Sequence, residues 1–278
     1  MLKRSITAIV GILIFLPVFI FSNTWALPIA ASLLSVIGCF EMISCVGQRK
    51  NLVVSLPIYL EAIFFPLFLR YCSMNECMAT FVEVAVFAIL ATLLYVFATA
   101  VFQNEKMPVT EAGLLVSATV YIIAAFTCLV YVRDFVYPGQ FVFLLCICAA
   151  FATDIFAYFT GYLFGKHKLI PAVSPKKTVE GAIGGVVFCM LFFMLFGFII
   201  EKSVGASANY LVLALGGVLI SVVSQIGDLV MSLIKRKYGI KDYGKIFPGH
   251  GGVLDRCDSV LAVTIVMTII CTYFNMFN

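Results

Sequence analysis

Residues 224–259 read SQIGDLVMSLIKRKYGIKDYGKIFPGHGGVLDRCDS, a polar stretch set between two apolar runs of membrane length. Of the chain's 18 Lys and Arg residues, Lys235, Arg236, Lys237, Lys241, Lys245 and Arg256 fall here, beside Asp228, Asp242, Asp255 and Asp258. Around this stretch the 278-residue chain is 63% hydrophobic and 12% charged, with a mean hydropathy of +1.11. A soluble domain carries about 25% charged residues, so this chain cannot cover a water-facing surface. The composition gives an all-α, polytopic membrane protein.

A spanning helix takes roughly 20 apolar residues, which allows about nine transmembrane helices. Working outward, apolar runs occupy residues 6–21, 25–46, 52–69, 80–102, 109–131, 140–164, 180–200, 210–234 and 260–277. The first follows a short basic segment, as in a signal peptide, but no small-residue cleavage site precedes a soluble domain, so it reads as a span. With the N-terminus in the cytoplasm, fifteen of the 18 basic residues fall on the cytoplasmic side, and only Arg70, Arg133 and Lys202 fall outside. That asymmetry obeys the positive-inside rule. The net charge of +4 is thus a topology signal, and no nucleic-acid partner is expected. The chain reads as a single integral membrane domain over 1–278, with N-terminal spans at 1–140 and a motif-bearing half at 141–278. Its ten cysteines form no CxxC pair and read as small core-filling residues.

Asp154 and Asp228 lie within apolar runs, where an ionisable residue is costly and marks a functional-site candidate. Asp228, Ser232 and Lys235 share one helix face at spacings of four and three, as do Asp154, Tyr158 and Gly161. Glu41, Glu61 and Glu83 stand alone in their segments and read as packing or interfacial groups. Asp255 and Asp258 are three apart, so a helix there puts both on one face. Magnesium takes one or two carboxylates plus water and substrate phosphate, and Asp228, Asp255 and Asp258 form a candidate metal set. The run Pro248-Gly249-His250-Gly251-Gly252 has few bulky side chains and could let backbone N–H groups approach phosphate. Lys235, Arg236, Lys241 and Arg256 offer cations. In the loop 165–178, Lys176 and Lys177 flank a helix start that Glu180 and Gly181 open, a natural anion site. Each feature has a plainer reading: a surface acid pair, a tight turn, a membrane anchor. Together, at one membrane face, they are the parts of a phosphoryl-transfer site.

The run Ser232-x-x-Lys235-Arg236, then Lys241-Asp242, then Pro248-Gly249-His250-Gly251-Gly252, then Asp255-Arg256-x-Asp258 resembles the signature of the phosphatidate cytidylyltransferase (CDP-diacylglycerol synthase) family. The segments SQIGDL, SPKKTVEGAIGG and DIFAYFTGYLFGK resemble that family too, so the likeness covers residues 154–259. The resemblance implies transfer of the cytidylyl group of CTP to phosphatidic acid, giving CDP-diacylglycerol and pyrophosphate, with Mg2+. It implies an enzyme of the inner (cytoplasmic) membrane, working as a homodimer, with its site facing the cytoplasm. Carried over by motif position, Asp228, Asp255 and Asp258 hold the metal. Asp228, Asp255, Asp258, Lys235 and Arg256 act in catalysis. Asp154, Ser174, Lys176, Lys177, Ser232, Arg236, Lys241, Asp242, Gly249, His250, Gly251 and Gly252 bind substrate. Two other classes stay open: a CTP-dependent polyprenol or lipid kinase, and a cation- or proton-coupled transporter. A transporter spreads polar groups through many spans, whereas polarity here gathers at one face.

Overall fold

The computed structural model describes residues 11, 13, 15–247, 249 and 251–277. The chain is mostly helical. Its elements run α1 (Ala26–Cys45), α2 (Leu52–Met74), α3 (Met78–Phe102), α4 (Val109–Phe135), α5 (Gly139–Phe164), β1 (Lys168–Ile170), β2 (Ser174–Thr178), α6 (Val179–Val204), α7 (Tyr210–Lys237) and α8 (Leu254–Tyr273). Seven of them, α1 to α7, are long and apolar enough to cross a membrane. Of the expected first span, residues 15–20 are helical. Residues 1–10 lie outside the described residues, and with them Lys3 and Arg4.

Three boundaries differ from the hydropathy reading. Helix α2 continues to Met74, which puts Arg70 inside a helix rather than in a loop. Helix α8 starts at Leu254 rather than near 260, and so contains both Asp255 and Asp258. The basic loop contains a two-stranded antiparallel hairpin, β1 with β2, in an otherwise helical chain.

The chain forms two compact units, one of residues 1–134 and 238–256, the other of residues 135–237 and 257–278. In the first, α2 packs on α1 and on α3. The buried residues of α2 include Val54, Ile58, Ala62, Phe65, Leu69 and Cys72, a stripe at helical spacing. The opposite face exposes Leu52, Val53, Leu56, Leu60 and Phe64. Both faces are apolar because the outer one meets lipid rather than water. Where α2 and α4 end, Arg70 Nη1 donates to Asp134 Oδ1 at 2.6 Å, and Arg133 Nε donates to Ser22 Oγ at 3.0 Å.

In the second unit α6 packs on α5 and on α7. The approach of α5 to α6 is close because small residues face each other. A Cβ on Gly181 would come within 2.6 Å of the Ala157 carbonyl oxygen. The tail is tied back by Asn209 N–H donating to Met276 O at 2.9 Å.

Candidate active site

The second unit collects charged side chains from four separate segments. Asp154 comes from α5, Lys177 from β2, Asp228, Ser232 and Lys235 from α7, and Asp258 from α8. The hairpin is fixed at its base. Thr178 caps α6, its Oγ1 accepting from Gly181 N–H at 3.1 Å. His167 N–H donates to Glu180 Oε2 at 3.2 Å, and His167 Nδ1 lies 2.6 Å from Glu180 Oε1. Held this way, β2 delivers Lys177 Nζ to within 2.5 Å of Asp228 Oδ2. One turn along α7, Ser232 Oγ donates to Asp228 Oδ1 at 3.4 Å, as the spacing of four requires.

Asp258 has Asp228, Asp154 and Lys235 as its electrostatic neighbours. Its Oδ1 accepts from Ser259 N–H at 2.9 Å, and Ser259 Oγ donates to Asp154 Oδ2 at 3.3 Å. Lys235 is buried, while Arg236 is exposed. Ser174 is half-buried and Lys176 exposed at the start of the hairpin's second strand. Three carboxylates with two ammonium groups leave a cluster of net negative formal charge, in which each carboxylate disfavours ionisation of the others.

The first unit carries the rest of the quoted stretch. Phe247 N–H donates to Gly251 O at 2.9 Å and Gly251 N–H to Phe247 O at 3.2 Å, closing a tight turn. Gly249 and Gly251 take φ of +79° and +90°, the left-handed region that favours glycine. Asp255 Oδ2 accepts from Tyr243 N–H at 2.8 Å and Gly252 N–H at 2.9 Å. A Cβ on Gly251 would come within 2.7 Å of that same oxygen. The N–H groups of Val253 and Leu254 donate to Glu41 Oε1 and Oε2 at 3.0 and 2.8 Å. All four N–H groups from Gly251 to Leu254 are therefore engaged within the protein. Gly251 and Gly252 each meet a carboxylate, Asp255 at the first and Glu41 at the second. Lys241, Asp242, Gly249 and Arg256 are exposed, and His250 and Pro248 lie outside the described residues.

Sequence reasoning missed two contributors. Ser259 closes the polar stretch but was not singled out. Glu41 carries a signal, an acid inside an apolar run, but nothing polar stands near it in the sequence to mark its role.

No three His, Cys, Asp or Glu side chains among the described residues are disposed to enclose a metal ion by themselves. Magnesium does not ask for that. It takes one or two carboxylates and completes its shell with water and substrate phosphate. The all-oxygen, net negative set of Asp228 and Asp258 fits such an ion. Asp255 differs, because its Oδ2 already accepts two backbone hydrogen bonds.

A family model described as "Cytidylyltransferase family" matches residues 2–274. The chain belongs to the cytidylyltransferase family. It is 33% identical over 267 residues to the phosphatidate cytidylyltransferase of Bacillus subtilis, covering 95% of this chain and 94% of that one. The Staphylococcus haemolyticus protein of the same name is 31% identical over 267 residues, 96% of this chain and 97% of its own. That of Staphylococcus aureus is 30% identical over 270 residues, again 96% and 97%. Membership makes this chain a nucleotidyltransferase. It also places the quoted stretch and the N-terminal helices within one family, whereas the motif likeness alone reached only from 154 to 259. Neither a lipid kinase nor a transporter finds support among these relatives.

Proposed function

We propose that the protein transfers the cytidylyl group of CTP to phosphatidic acid, releasing pyrophosphate and CDP-diacylglycerol for phospholipid synthesis. The observation that carries this reading is the meeting of Asp154, Asp228 and Asp258, from three helices of a membrane protein, with Lys177 and Lys235. A lipid phosphate lies at the membrane interface, and a water-soluble nucleotide can reach it only there. The names of the relatives supply the two substrates.

An oxygen of the lipid phosphate attacks the α-phosphorus of CTP. The new P–O bond forms as the bond from the α-phosphorus to the bridging oxygen breaks, and pyrophosphate leaves opposite. A phosphate monoester, with a second pKa of about 6, is already a competent dianionic nucleophile near neutral pH, so no strong general base is needed. Asp228 and Asp258 would hold a magnesium ion, whose chemistry is to neutralise the triphosphate and polarise its P–O bonds. Lys235 and Lys177 face the phosphates, and Lys177 exchanges Asp228 for substrate as the nucleotide arrives. Ser232 orients Asp228, and Ser259 orients Asp154. Arg236, Lys176 and Ser174 border the nucleotide, and Arg256, Lys241 and Asp242 guide substrate to the loop. His250 contacts phosphate. Asp255 orders the glycine turn.

In the membrane the chain crosses nine times with its N-terminus in the cytoplasm. It works as a homodimer in the cytoplasmic membrane with the carboxylate cluster on the inner side. The test is product formation by purified protein in mixed lipid micelles with CTP and phosphatidic acid. CDP-diacylglycerol should appear with magnesium, cease with EDTA, and return when magnesium is restored. Product formation that ignores EDTA would remove the metal from this scheme.

A further inference from the structure

We infer that Glu41, on α1, is a positioning residue for the catalytic stretch more than two hundred residues away. Glu41 is 1% exposed. Its two carboxylate oxygens accept from Val253 N–H at 3.0 Å and Leu254 N–H at 2.8 Å. Leu254 opens α8 and Val253 immediately precedes it, and the first N–H groups of a helix lack partners within it. A carboxylate there satisfies two orphan donors and sits at the positive end of the helix dipole. Most helices find such a cap within their own chain, a residue or two upstream. Here the residue just upstream is Val253, preceded by Gly251 and Gly252, none with a polar side chain, and the cap comes from α1.

The fit around Glu41 is specific. Gly244 and Gly252 both press on its carboxyl group so closely that a Cβ on either would overlap it. A Cβ on Gly244 would also lie 3.1 Å from Gly252 Cα. From the other side, Asp255 Oδ2 accepts from Tyr243 and Gly252. Two carboxylates thus grip the segment 243–254 through four backbone N–H groups, one from within α8 and one from α1. The segment leads directly into Asp255 and Arg256. Gly244 has no role in the reaction proposed above; its smallness answers to Glu41.

A packing acid would need no such arrangement. Burying a carboxylate is costly unless it is hydrogen-bonded, and a leucine would fill the space in α1 more simply. The arrangement is accounted for if the start of α8 must be held in one place. Misplacement of a reacting group by about 1 Å can cost a hundredfold in rate. The effect on turnover rests on the cytidylyl-transfer reading; the effect on the backbone does not.

The experiment compares the full-length protein with Glu41→Gln and, separately, Gly244→Ala, which displaces the carboxyl group without removing it. Hydrogen exchange by mass spectrometry, thermal unfolding and kcat/KM for CTP are measured on the same preparations, with Asp258→Asn as reference. Faster exchange confined to peptides covering 243–255, with kcat/KM down about tenfold or more per folded molecule, is the expected result. Exchange that stays at the parent rate in that segment overturns the inference. So does acceleration spread equally through α1 and α2, which marks a general packing role. If kcat/KM is unchanged in both variants while Asp258→Asn is inactive, Glu41 does not position the chemistry. If Asp258→Asn is also fully active, the site reading fails instead, and the exchange pattern still decides the role of Glu41 in holding the backbone. Should Glu41→Gln not fold, Gly244→Ala carries the same comparison.

Discussion

Asp255 and Asp258 stand three residues apart near the start of one helix, and their surroundings could hardly differ more. Asp255 is buried, and one of its oxygens already serves two backbone N–H groups. Asp258 has two other carboxylates, Asp228 and Asp154, among its neighbours. The first environment consumes a negative charge in ordering the chain. The second accumulates negative charge, which a bound metal ion or a proton relieves. Spacing alone treats the pair as equals; what each side chain meets separates them.

The comparison predicts a hierarchy of effects. Asp258→Asn should lower kcat by about a hundredfold or more while leaving the unfolding temperature unchanged or raised, because one repelling charge is gone. Parent-like turnover in this variant would put Asp258 in the same class as Asp255. Asp255→Asn should behave the other way round. It should cost about 1–3 kcal/mol of stability, read as a lower unfolding midpoint, with an activity loss that shrinks once rates are divided by the folded fraction. Lys177→Met removes the partner of Asp228. The expected change is smaller, a rise of about tenfold in KM for CTP, with kcat less affected; a fall in kcat alone would mean that Lys177 acts in the transition state only.

The smallest effect on activity is expected at a third acid. Asp134 is also paired, with Arg70 at 2.6 Å, but its side chain is 2% exposed against 23% for Asp228. Arg70→Met should therefore destabilise the protein by about 3 kcal/mol and leave kcat per folded molecule as it was. A change in kcat would show that the pair does more than lock helix ends.

Much of this is legible in the sequence. The apolar runs gave the helices because lipid demands them, and their boundaries at Leu52, Val109 and Tyr210 were marked by polar breaks. The grouping of Asp154 with Asp228 followed from the cost of placing acids in apolar runs, and the Ser232–Asp228 bond from helical spacing. What the sequence concealed has physical causes. In lipid both faces of a helix are apolar, so no periodicity told which side of α2 is buried. The hairpin rests on strands of three and five residues, too short for an alternating pattern. The start of α8 depends on a cap from Glu41, and no local rule reaches across that separation. Small residues in the glycine run permit a phosphate cradle, and they equally permit two carboxylates to close on the backbone, as Asp255 and Glu41 do at Gly251 and Gly252.

In the proposed reaction the carboxylate cluster serves transfer of a cytidylyl group to a lipid phosphate. The most direct measurement incubates purified protein with magnesium, phosphatidic acid and CTP labelled in parallel at the α or the γ phosphorus, for the parent and for Asp258→Asn. Label should enter the lipid from the α position only, and only with the parent protein. Entry of γ label, or undiminished α transfer by Asp258→Asn, would contradict the account.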